Sequence, residues 1–319
     1  MSATPGARRN GCGAGRLLTL AAVCCALAAF PKALSAQSGA PPLPTGAELN
    51  AVVERVISAT HRNDAALEVY ERIEHWVDRK SENAPQAERD RTYRVFPTGT
   101  GTLRLILKDK GVAVTPQNYH EQLEVLERVL VWALDPGEAK QHARVAKWKK
   151  RSAERYQTIE AFRNAYTVTP LGWETHDGRA LLGLRFEQKP GYESRSVSSD
   201  ILANSRVEMW VVETSGQPVR IQALLVRDIA FGGGLLGKVY KGGQVFIEQS
   251  EAGTGIWLPK SMRYQFHGRK FLLSSELIQT GEMSGYRRVG PPSEALELVR
   301  HELSIPPGNL SVPSSRGGL

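Results

Sequence analysis

The sequence predicts an α+β protein in which a long antiparallel β-sheet is covered by helices. From residue 165 to residue 289, apolar side chains return at every second position in successive short segments, as in strands with one buried face. Short polar turns join these segments without an intervening helical pattern, which excludes a doubly wound parallel sheet. Helical periodicity of apolar residues is instead concentrated before residue 165.

The first 36 residues have the features of a cleaved signal peptide (1–36). Three arginines precede an uncharged apolar run of 14 residues, Leu17 to Phe30, and the small-residue sequence Ala33-Leu-Ser-Ala36 follows. A run of that length suits a signal sequence better than a membrane-spanning helix. We therefore predict export through the general secretory route, cleavage after Ala36 and a periplasmic location. An uncleaved membrane anchor and a lipoprotein modified at Cys24 are the alternatives.

The positions of the cysteines and the net charge argue against several kinds of site and partner. All three cysteines, Cys12, Cys24 and Cys25, lie in the leader, so the predicted mature chain has no disulfide and no cysteine metal site. The leader also holds four basic and no acidic residues, so its removal lowers the formal net charge from +8 to +4. This small charge argues against nucleic acid as a partner, while an anionic membrane surface stays open.

The segment after the leader predicts a flexible lead-in and a short amphipathic helix. Residues 37–44 contain three prolines and are expected to be flexible. Thr45 and Glu48 have the spacing of a capping box, in which each side chain satisfies a free amide at the helix start. Apolar residues at helical spacing follow, so we predict a helix over residues 46–60.

Three strands and a pair of helices come next. Residues 67–77 fit either a strand or a helix, and their bulky and β-branched side chains favour a strand. Alternation predicts further strands at 92–96 and 102–108. A helical pair is predicted over about 116–162, with Thr115 as the cap of its first member.

The second helix of this pair is strongly basic. Between Lys140 and Arg155 it carries seven basic residues and one acidic residue, Glu154. The simplest interpretation is a solvated helix face, and contact with acidic headgroups is the alternative.

From residue 165 the chain is predicted to form an antiparallel meander. Its seven candidate strands are joined by turns such as His176-Asp-Gly178. The strands are predicted at 166–174, 179–188, 206–213, 219–229, 239–249, 255–268 and 270–280. Beyond residue 289 the chain is rich in proline and glycine, so 290–319 is predicted to be a mostly disordered tail apart from an apolar patch at 296–303.

The glycine-rich loop between residues 232 and 238 resembles a phosphate-binding loop, but two features argue against that role. A phosphate loop needs serine or threonine after its lysine and a helix behind it. Here Val239 follows Lys238, and the next residues are strand-like. We interpret the glycines as a source of backbone freedom in a long hairpin.

No metal site, cofactor site or catalytic group is predicted. His120 and His301 lack the second histidine four residues on that a zinc helix needs, and no serine stands in a nucleophile elbow. We therefore predict that the protein is not an enzyme, and an unrecognised hydrolase is the remaining alternative.

The meander does predict one apolar sheet face that helices must cover. Such a covered face is either a plain core or a cavity for an apolar ligand. The candidate residues for lining a cavity are Met209, Trp210, Ile221, Leu225, Trp257, Met262, Tyr264 and Phe266.

A series of short motifs between residues 160 and 290 carries a resemblance to known proteins. They are Phe162…Tyr166, Gly172…Gly178-Arg179, Leu184-x-Phe186…Pro190-x-Tyr192, Val207-Glu-Met-Trp210-Val211, Gly232 to Lys238, Trp257-Leu-Pro259 and Tyr286-Arg-Arg288. In this order they resemble a group of uncharacterised exported bacterial proteins, which are similar to the outer-membrane lipoprotein carrier and receptor superfamily, the LolA/LolB-like fold. The resemblance implies one domain over 45–289, a half-barrel whose concave face is plugged by helices, with an apolar pocket between them.

These observations together predict a non-enzymatic, monomeric periplasmic binding protein. Its expected ligand is a lipid, an acyl chain or a lipoprotein anchor held between sheet and helices. The alternative is an envelope sensor or scaffold that binds another protein through the sheet and the basic helices.

Overall fold

A computed structural model describes residues 41–135, 137, 139–191, 203–231, 237–270 and 273–313. The predicted signal peptide, residues 37–40 of the lead-in and the glycine-rich residues 232–236 lie outside the described residues. The helices are α1 (Gly46–Ala66), α2 (Pro116–Leu134), α3 (Ala139–Asn164) and α4 (Pro292–Leu303).

The fold class predicted from the sequence is confirmed: the protein is α+β, with a large open antiparallel sheet. The strand order is β4-β3-β2-β1-β13-β12-β11-β8-β7-β6-β5, and β10 pairs with both β12 and β9. The strands are β1 (Tyr70–Arg79), β2 (Arg89–Pro97), β3 (Thr102–Asp109), β4 (Val112–Ala113), β5 (Tyr166–His176), β6 (Arg179–Gln188), β7 (Ser205–Val212), β8 (Gln217–Leu225), β9 (Ile229–Phe231), β10 (Gly237–Val239), β11 (Gln244–Gly253), β12 (Ile256–Lys270) and β13 (Leu273–Arg288).

The predictions for helix starts and turns were confirmed in part. Thr115 caps α2 as predicted, because its hydroxyl accepts a hydrogen bond from the Asn118 amide at 3.2 Å. Thr45 stands at the start of α1, but its side chain makes no capping bond, so the predicted capping box does not form. Asp177 and Gly178 both have positive φ, 48° and 74°, and they form the predicted hairpin turn between β5 and β6.

Helices α1 and α3 pack on one face of the sheet, which we call the α1 face. Val52, Val56 and Ile57 of α1 share a buried cluster with Leu184 and Met209 of β6 and β7. Successive residues of a strand point to opposite faces, so alternate residues of these strands build this cluster. Ile159 and Phe162, from the C-terminal half of α3, pack against it.

One buried polar side chain holds α1 in place over the sheet. The Asn63 amide donates to Gln217 Oε1 at 3.0 Å, and its oxygen accepts from the Trp257 backbone amide at 3.1 Å. The turn before β8 comes close to the helix backbone, since a Cβ on Gly216 would lie 2.3 Å from the carbonyl carbon of Arg55. A side chain at that position would therefore push α1 away from the sheet.

Helices α2 and α4 pack on the opposite face, at the other end of the sheet. Leu123 and Leu126 of α2 and Val299 of α4 form a buried cluster with Leu105 and Leu107 of β3. The resemblance implied helices on one concave side only. The register explains the difference, because Leu105 pairs with Arg94 and Arg94 with Ile73, whose side chains point away from the α1 face.

The C-terminal segment differs from the disorder that its composition predicts. Residues 292–303 form α4, a short 3-10 turn covers Pro307–Asn309, and Leu310 is buried. The apolar patch at 296–303 is long enough to make an amphipathic helix whose buried side docks on α2. Residues 314–319 lie outside the described part of the chain.

A buried arginine links four elements beneath α2 and α4. The Arg94 guanidinium, 3% exposed, donates to Glu71 Oε2 at 2.7 Å and to both carboxylate oxygens of Glu302 at 2.6 and 2.8 Å. It also donates to the Tyr119 hydroxyl at 2.6 Å, and burial raises the pKa of that hydroxyl to about 12. We call these four residues the Arg94 hub, and it joins β2, β1, α4 and α2.

Substitution of Arg94 should strongly destabilise the fold. Arg94→Met removes the guanidinium that pairs with both Glu71 and Glu302 and leaves Glu71 with Arg287 as its remaining partner, at 2.6 Å. Removal of one member of a buried ion pair costs about 3–5 kcal/mol. Arg91→Met on the same strand removes a solvent-exposed pair with Asp109 and should cost much less, because solvent screens exposed ion pairs. Urea denaturation of the two variants measures both costs, and equal costs would contradict a central role for the hub.

Candidate functional site

The strand register brings apolar side chains from seven strands into two parallel rows on the α1 face. Residues that pair directly in an antiparallel sheet lie side by side on one face. The first row consists of Leu184, Met209, Ile221, Ile247, Met262, Gly281 and Trp76. The second row consists of Phe186, Val207, Ala223, Val245 and Tyr264.

Burial changes along these rows. Leu184 is fully buried and Met209 is 7% exposed beneath α1, and Trp76 at the far end is 9% exposed. Between these ends, the side chains from β8, β11 and β12 are only half-buried. We call them the central strip, and two strand spacings make it about 10 Å wide. The central strip consists of Ile221, Ala223, Val245, Ile247, Met262 and Tyr264.

Two glycines make room for aromatic rings at the borders of the strip. A Cβ on Gly281 would lie 2.6 Å from the Trp76 ring, so this ring lies directly over the glycine. A Cβ on Gly243 would lie 2.4 Å from the Phe266 ring, which therefore covers the start of β11. Flat rings over bare backbone give the borders of the strip a smooth apolar surface.

A buried carboxylate fixes the orientation of the Trp76 ring. Glu74, 3% exposed, accepts hydrogen bonds from Trp76 Nε1 at 2.8 Å and from Arg72 Nε at 2.7 Å, and Arg104 Nη2 lies 3.0 Å away. Burial alone would raise the pKa of Glu74, but the two guanidinium groups and the indole outweigh it and hold this pKa below its usual value. Trp76 also stacks on Tyr264, with ring centroids 6.3 Å apart.

Six of the eight candidate residues lie on the α1 face. Met209, Ile221, Met262 and Tyr264 belong to the two rows described above. Leu225 and Phe266 continue β8 and β12 at the same alternation, Leu225 buried and Phe266 half-buried over Gly243.

The two candidate tryptophans that remain lie elsewhere. Trp210 follows Met209 on β7 and points to the opposite face, where the Arg220 guanidinium lies 4.0 Å from its ring centroid. Trp257 is buried in a cluster with Leu181 and Val219, against which Trp210 also packs. Neither tryptophan contributes to the central strip.

Sequence reasoning missed the contribution of β1. Trp76 lies in a segment that fits a strand or a helix, and its partner strand, β13, begins almost 200 residues later in the chain. Trp76 lies two residues after Glu74, so in a strand both side chains point to the same face. This spacing is the local signal for the face that Trp76 occupies. No local pattern shows that Trp76 closes a row that starts on β6.

The residues on both sides of the glycine-rich loop form strands. β9 and β10 pair with each other, and Lys238 forms an ion pair with Asp228 at 2.7 Å. A phosphate loop would require a helix after the lysine, whereas Lys238 lies inside β10. This agrees with the interpretation from the sequence.

A cavity of about 550 Å³ opens between α1 and α3. Five of its six lining residues carry polar or charged groups, and none of the six belongs to the central strip. In the part of the chain that the structure describes, no group of three or more His, Cys, Asp or Glu residues could hold a metal ion. No described helix combines the length and the apolar character that crossing a membrane requires. The cavity is lined by Asp64, Arg151, Glu154, Arg155, Thr158 and Ile159.

Comparison with solved structures finds similarity to the LolA superfamily, which the sequence resemblance also names. A domain named for outer-membrane lipoprotein sorting, from Vibrio parahaemolyticus, has a TM-score of 0.33 at 8% identity and covers 78% of this chain and 99% of that chain. A LolA superfamily protein from Nitrosomonas europaea has a TM-score of 0.31 at 11% identity, covering 77% and 96%.

A third similar structure is the complex of MucA and MucB from Pseudomonas aeruginosa, with a TM-score of 0.24 at 10% identity, covering 76% and 99%. No protein-family model matches the chain, and no curated protein matches it. At these TM-scores the similarity identifies neither a ligand nor a partner.

The stabilisation that Glu74 provides should disappear in acid. A carboxylate whose pKa is lowered by folding contributes stability above its unfolded pKa, about 4.3, and loses this contribution as pH falls through the folded value. We expect Glu74→Gln to lower the free energy of unfolding at pH 7 and to have a much smaller effect near pH 3. Urea denaturation at the two pH values measures the change. The same loss at both pH values would show that Glu74 does not act through its charge.

Proposed function

We propose that the protein is a non-enzymatic binding or carrier protein of the cell envelope, which takes up a lipid, an acyl chain or a lipoprotein anchor on the central strip. The observation that carries this proposal is the half-burial of six apolar side chains in register between two buried clusters. An apolar surface of this kind, bordered by rings and closed at both ends, is typical of a ligand site.

The chemistry of the strip favours a chain of methylene groups over a polar ligand. Its floor consists of aliphatic side chains, methionine and one tyrosine, and burial raises the pKa of that tyrosine, Tyr264. The Tyr264 hydroxyl contacts Met262 Sδ at 3.3 Å, so it points along the sheet toward another residue of the strip. Each methylene group buried on such a surface contributes about 0.8 kcal/mol.

The attachment of α3 allows access to the α1 face. Arg155 pairs with Asp64 and Glu68, and Arg163 pairs with Glu54. These ion pairs are partly exposed, so solvent screens them and each contributes little to stability. Movement of α3 must also separate Ile159 and Phe162 from the buried cluster, and burial of a long acyl chain can offset that cost.

Two substitutions on neighbouring residues of β11 test the site. Ile247 and Phe246 are both half-buried, but they point to opposite faces of the sheet. We expect Ile247→Gln to weaken binding of a fluorescent palmitate analogue about tenfold, because half of an isoleucine's transfer free energy is lost. Phe246→Gln, the matched control, should leave the affinity unchanged.

Fluorescence titration of the purified full chain measures both affinities, and circular dichroism confirms that both variants fold. Absence of saturable binding to the parent protein would refute the proposal. Equal loss in the two variants would show that the α1 face is not the site.

A further inference from the structure

The N-terminal half of α3 carries a group of five basic side chains. Arg144, Lys147, Lys149, Lys150 and Arg151 form no ion pair with any other residue that the structure describes. In contrast, Arg155 and Arg163 in the C-terminal half pair with acidic residues of α1. The positive charge of the first half is therefore available to a partner.

These side chains are arranged on an exposed side of the helix. Lys147, Lys150 and Arg151 are exposed and lie three and four residues apart, so they are neighbours on the helix surface, and Arg151 also borders the cavity between α1 and α3. Val145 and Trp148 of the same half are half-buried. The first half of α3 therefore has a definite cationic surface that faces solvent.

The C-terminal end of α2, which precedes α3 in the chain, exposes apolar side chains. Val131, Trp132 and Leu134, at the C-terminal end of α2, are 38%, 42% and 47% exposed. Five residue steps separate Leu134 from the first residue of α3, so the two helix ends lie within about 18 Å of each other. An exposed tryptophan and leucine at the end of one helix and lysines in the first half of the next combine the side chains that enter a membrane interface with those that bind its phosphates.

We propose that the end of α2 and the first half of α3 dock on the surface of an anionic phospholipid bilayer. Lys147, Lys150 and Arg151 contact headgroup phosphates, and Trp132 and Leu134 enter the interface. This proposal goes beyond the proposed function, because docking uses residues outside the central strip. An acidic protein or nucleic acid would match the charge, but it gives no reason for Trp132 and Leu134 to stay exposed.

The test is co-sedimentation of the full chain with phosphatidylcholine vesicles, with and without phosphatidylglycerol. We expect binding to the anionic vesicles only, and a decrease with added salt, since exposed charges are screened within about 10 Å at 0.1 M ionic strength. Lys147→Glu/Lys150→Glu should weaken binding at least about 30-fold, because each basic residue near the surface contributes about a factor of five.

A matched control separates docking from net charge. Lys110→Glu/Lys241→Glu changes the net charge by the same amount as Lys147→Glu/Lys150→Glu, but on two exposed turns elsewhere. Its affinity for the vesicles should stay within a factor of two of that of the parent protein. Trp132→Ala should reduce the binding that remains at high salt. Ile247→Gln, which alters only the central strip, should bind vesicles like the parent protein, so failure of docking and failure of the ligand site are distinguishable.

Three results would overturn the proposal. One is equal binding to both kinds of vesicle, and another is equal loss in the two double variants. The third is retention on an acidic polypeptide matrix without binding to anionic vesicles, which would assign the surface to an acidic macromolecule.

Discussion

The pairing register of the sheet is the constraint on which the rest of the structure depends. Because side chains alternate between faces, the same register that aligns Met209, Ile221, Ile247 and Met262 sends Arg220 and Glu248 to the opposite face. A slip of one residue in any pair of strands would place charged groups in the apolar rows. The register thus fixes both the position of the central strip and its mainly apolar chemistry.

The two faces of the sheet meet different physical demands. Under α2 and α4 the buried guanidinium of Arg94 pairs with the buried carboxylate of Glu71 and the partly buried carboxylate of Glu302, an arrangement that loses stability when Arg94 is removed. On the α1 face the side chains between the two buried clusters need no specific partner, since apolar contact has no direction. Such a surface can exchange water for a ligand without leaving a polar group unpaired.

The polar and apolar parts of the site are connected through β1. Glu74 and Trp76 are two residues apart and therefore on one face, so the carboxylate that Arg72 and Arg104 hold also fixes the ring that ends the first row. This arrangement gives the strip a rigid border at Trp76. At the other border the cover consists of α1 and α3, and α3 is attached by partly exposed ion pairs.

Local periodicity in the sequence predicted most elements of the fold, because amphipathic helices and half-buried strands have distinct apolar periods. It also grouped Met209, Ile221, Met262 and Tyr264 correctly, since the antiparallel meander pairs strands close in sequence. Trp76 and the docking of α4 could not be predicted in this way. Both depend on pairings between distant parts of the chain, β1 with β13 and Glu302 with Arg94, which leave no local pattern.

Native mass spectrometry tests the existence of a bound apolar ligand most directly. The full chain would be exported in a bacterial host, and the envelope fraction would be purified without detergent. We expect a discrete added mass, in the range of a lipid or an acylated peptide, that disappears after organic extraction. A folded protein that carries no added mass, and gains none after incubation with envelope lipids, would contradict a role in carrying lipids.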